Sequence, residues 1–255
     1  MLEEINSEIP FIMVEGSKPG KTILITAGIH GGEYTSIVAL QKLAKQLRPE
    51  EVTGKVILLP IINSSSFYQR MAFLTPEDKK NLNRCFIGDS TGTYTEKLAD
   101  CITKSFIRMS DIVIDCHGGD LPERLLPHVY YSKLYTDKKA AEKAAGLADK
   151  VNVPFKIASD SKGSLYYAAT KYNIPSLLVE RGDSGQIVAE NVSLYMEDLT
   201  NLLRHLNVFK ERAKTYPVNL VKKVSYLYGD ENYCWQPLLS VGKRVQKGEI
   251  IGFLL

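Results

Sequence analysis

Along residues 22–205, five short apolar runs rich in β-branched residues alternate with five amphipathic stretches. This alternation constrains the fold more than any other feature of the chain. It predicts strands over 22–27, 55–61, 111–116, 154–157 and 176–180, and helices over 33–47, 95–109, 138–150, 164–172 and 186–205. In the last of these, Ile187, Val188, Val192, Leu194, Tyr195, Leu199, Leu202 and Leu203 keep to one broad face. Strands and helices in alternation make an α/β sheet layered with helices. Ligands of such folds collect beyond the carboxyl ends of the strands, so the residues at each strand exit matter most.

Four exits carry ionisable residues beside small ones. The first run leaves Ala27 into Gly28-Ile29-His30-Gly31-Gly32-Glu33. The second opens a long polar connection, 63–89, that contains Arg70 and Asn83-Arg84. The third ends in Asp115-Cys116-His117-Gly118-Gly119-Asp120, and the last in Glu180-Arg181-Gly182-Asp183. On its own, His30-x-x-Glu33 reads more readily as a helix start with an exposed histidine and a dipole-favoured glutamate. His117 tips the balance, because it too follows a buried strand, precedes two glycines and is one of only 4 histidines. His30, Glu33 and His117 would give the two-imidazole, one-carboxylate set of a catalytic zinc, with a position open for water. Asp115 is placed to accept the other N–H of His117. Glu180 could move a proton at the same sheet edge, and a loop arginine could polarise a carbonyl or grip a carboxylate.

The net charge of +3, from 32 basic and 29 acidic residues, is too small and too evenly spread to suggest nucleic acid or an anionic membrane. No apolar stretch approaches the roughly 20 residues that span a bilayer. The start, MLEEINSEIPF, lacks the basic, then apolar pattern of a signal peptide. Cys85, Cys101, Cys116 and Cys234 have no disulfide-framework spacing, so a reduced, cytoplasmic chain is expected. From Pro217 onward the texture becomes β-rich with glycines at turn positions. The expected organisation is an α/β domain over 1–215 and a small C-terminal β domain over 216–255. That second domain is expected to be incomplete, since the sequence stops in mid-pattern at Phe253-Leu254-Leu255.

Four stretches, "AGIHGGEYTS", "NLNRCFIGD", "DIVIDCHGGD" and "LLVERG", resemble the succinylglutamate desuccinylase/aspartoacylase family, a branch of the zinc carboxypeptidase superfamily. They occur in the family's order over roughly residues 20 to 185, and "LLSVGKRVQKGEIIG" resembles the β domain that follows in its deacylases. The resemblance implies a mixed central sheet with helices on both faces. It implies one Zn²⁺ held by His30, Glu33 and His117, Glu180 as general acid/base, and Asn83 and Arg84 on the substrate carboxylate. Arg70 matches, less closely, an arginine that polarises the scissile carbonyl. The reaction implied is hydrolysis of an acylated small molecule at its amide bond. The family's Asp-Leu-Asn-Arg and Phe-Pro-Gly are altered here, with Asn81 for the acid and Ile87 for the proline, which bears on the shape of the arginine loop. Two other functions use the same residues: a carboxypeptidase acting on a short peptide, and a non-catalytic binding protein on this scaffold. Tyr166, Tyr167, Tyr228 and Tyr233 are pocket or packing tyrosines, and self-association into a homo-oligomer is left open.

Overall fold

The structure is a computed structural model that describes residues 9–229 and 232–255; the first eight residues of the acidic start lie outside it. The chain runs through β1 (Ile12–Glu15), β2 (Lys18–Ala27), α1 (Tyr34–Gln46), β3 (Thr53–Leu59), α2 (Ser64–Gln69), α3 (Tyr94–Ser105) and β4 (Ile112–His117). It continues through β5 (His128–Ser132), α4 (Lys138–Ala148), β6 (Phe155–Ser159), α5 (Leu165–Thr170), β7 (Ser176–Glu180), α6 (Ala189–His205), β8 (Asn219–Val221), β9 (Trp235–Pro237) and β10 (Gly252–Leu254). Eight strands form one sheet in the order β1-β3-β2-β4-β7-β5-β6-β8, and β9 and β10 pair separately. The centre, β3-β2-β4-β7, is parallel. β5 joins β7 antiparallel, and β1 joins β3 antiparallel, so the sheet is mixed.

Strand alternation sorts the core into two layers. Ile23 and Ile25 of β2, Ile112 and Ile114 of β4, and Leu177 and Val179 of β7 pack with α1, α6 and the end of α4. Leu24, Val113, Ile57 and Leu59 face the other way, onto Leu98 and Ile102 of α3 and Ala168 and Ala169 of α5. Helices therefore cover both faces. The same alternation puts Asp115 and His117 on the face of Val113, and Glu180 on that of Leu178. In register, His117 pairs with Glu180 and Glu180 with His128, so three chemically active residues lie in one row across β4, β7 and β5.

The five predicted strands and five predicted helices all form, with ends shifted by a few residues. The stretch 95–109 is divided: α3 ends at Ser105 and a 3-10 turn covers Ile107–Met109. β1, β5 and α2 carry no mark in the sequence pattern, whereas β8 lies in the stretch after Pro217 that reads as β-rich. Val221 and its neighbours pair with β6 at the edge of the main sheet, while β9 and β10 lie largely exposed.

Candidate active site

The site begins at the turn from β2 into α1. Glu33 occupies the N-cap of α1, yet its side chain makes no capping hydrogen bond. Its carboxylate instead meets two imidazoles: Oε1 lies 2.6 Å from His30 Nδ1, and Oε2 lies 3.0 Å from His117 Nδ1. Glu33 thus stands at a helix start, as the plainer reading expects, but His30 is buried rather than exposed and the two side chains face each other. Gly31 and Gly32 are there because neighbouring groups press close. A Cβ on Gly31 would overlap the backbone of Ser66 and Phe67 at α2, and one on Gly32 would overlap the Asp120 carboxylate. The positive φ of this turn belongs to Gly28, at 70°.

The outer nitrogen of each histidine is held by an oxygen. Asn81 Oδ1 accepts the Asn83 backbone N–H at 2.8 Å, which fixes which end of the amide is oxygen. His30 Nε2, 3.1 Å from that oxygen, must therefore be the donor. His117 Nε2 donates to Asp115 Oδ2 at 3.1 Å, while Asp115 Oδ1 accepts the Thr26 hydroxyl at 2.8 Å. Both Nδ1 atoms are thus turned toward Glu33. Burial alone would raise the Glu33 pKa, but the charges of His117 and His30 outweigh it and hold it at about 2. Burial opposes a charge on His117, yet Glu33 and Asp115 lift its pKa well above the usual imidazole value.

These residues fit a divalent metal. The three donor atoms lie within 4.8 Å of one another, and all three residues are buried. Glu33 Oε2 is buried with no hydrogen-bond partner, a free acceptor directed at the two imidazoles. Imidazole nitrogens braced by oxygen acceptors on the far side are the usual arrangement of a ligating pair.

A cavity of about 240 Å³ opens over this group, lined also by Glu180, Asn83, Arg84, Glu123, His128, Tyr130, Tyr166 and Tyr226. Glu180 Oε2 is buried without a hydrogen-bond partner. Burial pushes its pKa well up, Glu33, Glu123 and Asp115 add to the effect, and His117 opposes it. Asn83 is buried, and its Oδ1 accepts the Leu165 N–H at 3.0 Å, leaving its amide donors for the cavity. Arg84 is exposed at the rim, with Nη1 donating to the Asn83 carbonyl at 2.8 Å. Beyond it, the Phe86–Ile87 peptide bond is cis. Larger hollows exist, such as one of about 680 Å³ between α1 and α6, but its lining includes no histidine.

A model of the succinylglutamate desuccinylase/aspartoacylase catalytic domain matches residues 19–206. The chain belongs to this family. An N-alpha-acetyl-L-2,4-diaminobutyric acid deacetylase from Halomonas elongata is 29% identical over 252 residues, covering 95% of this chain and 72% of the relative. The crystal structure of a succinylglutamate desuccinylase from Silicibacter sp. TM1040 superposes with a TM-score of 0.86 at 28% identity, over 97% of this chain and 76% of that one. The product-bound ectoine utilization protein EutE from Ruegeria pomeroyi gives 0.81 at 26% identity, over 96% and 75%. The desuccinylase/aspartoacylase fold thus accounts for the placement of the exits in this chain.

His30, Glu33, His117, Asn83, Arg84 and Glu180 meet in one cavity, with Asp115 directly behind His117. Arg70 does not join them: it is exposed at the left-handed C-cap of α2, beside a separate apolar hollow lined by Tyr34, Ile37, Phe67 and Leu121. Tyr166 lines the cavity, with its hydroxyl donating to Ser159 Oγ at 2.9 Å. Tyr167 is buried under Lys171, and Tyr228 and Tyr233 are exposed. Sequence reasoning misses Asn81, Glu123, His128, Tyr130 and Tyr226. His128, one of four histidines, and Asn81, a departure from the family's acid, were the available signals.

Proposed function

We propose that this chain is a zinc-dependent deacylase that hydrolyses the amide of an N-acyl amino acid or a related small molecule. The observation that carries the reading is the joining of a buried His–Glu–His donor set to an acidic carboxyl, Glu180, in a cavity with a guanidinium at its rim. The relatives named as a desuccinylase and a deacetylase support the same chemistry. At about 240 Å³ the cavity falls below the roughly 300–1,000 Å³ of drug-sized sites, which favours a compact substrate over a peptide.

His30, Glu33 and His117 would hold the zinc, which supplies an acidified water and polarises a carbonyl oxygen. Glu180 takes a proton from the attacking water and delivers it to the departing nitrogen. Its raised pKa suits the second of these tasks, since a carboxyl that keeps its proton can hand it to an amine. The Asn83 amide and the Arg84 guanidinium receive the carboxylate of the amino-acid half, by charge-assisted hydrogen bonds. The backbone on both sides of this pair is fixed: Phe86 N–H donates to the Gly163 carbonyl at 3.0 Å, and Asn83 holds Leu165.

The test is metal analysis of the purified protein together with a deacylation screen over N-acetyl and N-succinyl amino acids. We expect near-stoichiometric zinc and release of free amino acid. His117→Ala should lose both; retention of stoichiometric zinc by this variant would show the ligand assignment to be wrong. Release of C-terminal residues from short peptides, with no deacylation, would replace the proposal with a carboxypeptidase.

A further inference from the structure

The hollow beside Arg70 shares no lining residue with the catalytic cavity. At about 640 Å³ it falls within the roughly 300–1,000 Å³ of small-molecule sites. One wall is the face of α1 that carries Tyr34, Ile37, Val38 and Gln41, spaced three and four apart. Phe67, Tyr68 and Arg70 form the opposite wall at α2. Leu121 and Ile187 close the ends, from the connections that follow β4 and β7.

The walls are aromatic and firmly backed. Phe67 meets the Tyr34 ring edge-on at 6.0 Å between centroids, and the Tyr68 ring edge-on at 5.3 Å. Behind them, a Cβ on Gly31 would lie 2.3 Å from the Phe67 nitrogen, and one on Gly32 would lie 2.9 Å from Leu121 Cγ. Both residues are thus seated directly on the turn between β2 and α1, which fixes the shape of the hollow before any ligand arrives. Its rim is nonetheless wet: Tyr68 is 77% exposed and Ile187 60%. Large apolar groups gathered in water around a concave surface mark a binding site rather than a solvated face.

Charge decides what kind of ligand fits. Arg70 is the only charged residue of the lining. Its backbone is held in the left-handed region at φ 53°, where its N–H donates to the Phe67 carbonyl at 3.3 Å and the Met71 N–H donates to the Ser66 carbonyl at 3.0 Å. No acidic residue lines the hollow, and among the described residues the Arg70 side chain forms no ion pair or hydrogen bond. The counter-charge is left to the occupant. A planar guanidinium matches a carboxylate through two parallel hydrogen bonds, and the rings beside it take an apolar body. A second copy of the chain suits the hollow poorly, because a two-fold contact sets this arginine-bearing patch against itself.

We propose that this hollow is a second ligand site, for a small amphipathic carboxylate whose apolar body lies on Tyr34 and Phe67 and whose carboxylate meets Arg70. The site stands independently of the deacylase reading, since none of its residues takes part in the proposed hydrolysis.

The probe is 3-phenylpropionate, titrated calorimetrically into the purified protein, with uncharged 3-phenylpropanol as its pair. The carboxylate should bind saturably and at least about tenfold more tightly than the alcohol, the ordinary worth of a charge-assisted hydrogen bond. Arg70→Gln should remove that preference, and Val38→Trp, which fills the hollow, should abolish binding of both compounds. Arg70 is exposed, so its variant keeps the fold and decides the matter even where Val38→Trp does not fold. Arg84→Gln controls for the catalytic cavity, where a carboxylate could also lodge. Binding that persists in Arg84→Gln and falls in Arg70→Gln supports the site. Binding that falls only in Arg84→Gln, equal affinity for acid and alcohol, or no saturable binding at millimolar concentration would overturn it.

Discussion

Within the candidate metal-binding group, the residues behind the histidines are as informative as the histidines themselves. Asp115 is fully buried and divides its two oxygens between Thr26 and His117, so it fixes the ring rather than binding a ligand. Asp115→Asn should keep the fold but reduce zinc affinity by about 10- to 100-fold, the usual cost of losing such a brace. Competition with a chelating dye measures this directly; an unchanged affinity would make Asp115 merely a strand residue. The same brace behind His30 is the neutral Asn81, so the two histidines are held by partners of unequal strength. Much of this was legible in the sequence, because strand period two puts Asp115 and His117 on one face and the Gly-Gly pairs mark close approach. Glu123, Tyr130 and Tyr226 were not, since nothing in the sequence near them tells which side of a loop or strand the cavity occupies. Arg70 was misleading for a related reason: a long polar connection does not disclose which of its arginines turns inward.

Between elements, two contacts set where β4 and β7 end. The Tyr195 hydroxyl of α6 donates to the Val179 carbonyl at 2.6 Å and lies 3.1 Å from that of His117, tying the helix to both strand exits. Beside it, Arg181 forms a buried pair with Asp198, at 3.0 Å through Nε and 2.6 Å through Nη2, and its Nη2 also donates to the Asn152 carbonyl. Arg181→Ala would strand the Asp198 carboxylate, already pushed up in pKa by burial, in the interior. A loss of about 3–5 kcal/mol is expected, read as a lower urea midpoint. A loss below about 1 kcal/mol would mean that solvent already reaches the pair. Sequence periodicity found the central elements because they are long, apolar and buried. It passed over β5, whose five residues are only partly buried and carry no clean alternation.

For the molecule as a whole, the buried charges set how stability varies with pH when no metal is bound. Glu33, held at about 2 in the fold against an ordinary 4.5, contributes stability above pH 4.5 that is lost as the pH falls toward 2. His117 has the opposite sign: its raised pKa contributes fully below 6.5 and is lost as the pH rises through the folded value. Glu180 adds to the alkaline loss, because the folded state keeps a proton that the unfolded chain releases above about 4.5. The chelator-treated protein should therefore be most stable in mildly acidic buffer, with urea midpoints falling on either side. A flat profile from pH 4 to 8 would show that these groups are not coupled in the fold. At this scale the sequence conveyed the sheet and its helices but not the course of the C-terminal segment. β8 returns to the main sheet, and Tyr226 reaches the cavity, with its hydroxyl 3.3 Å from that of Tyr130.

The three candidate metal donors sit at the exits of strands that two independent apolar layers already hold in place. If these residues hold a metal, as proposed, folding and metal loading are separable events, unlike in small domains whose ligands gather only around an ion. On that reading, protein without bound metal would keep its fold and could be loaded later without any refolding.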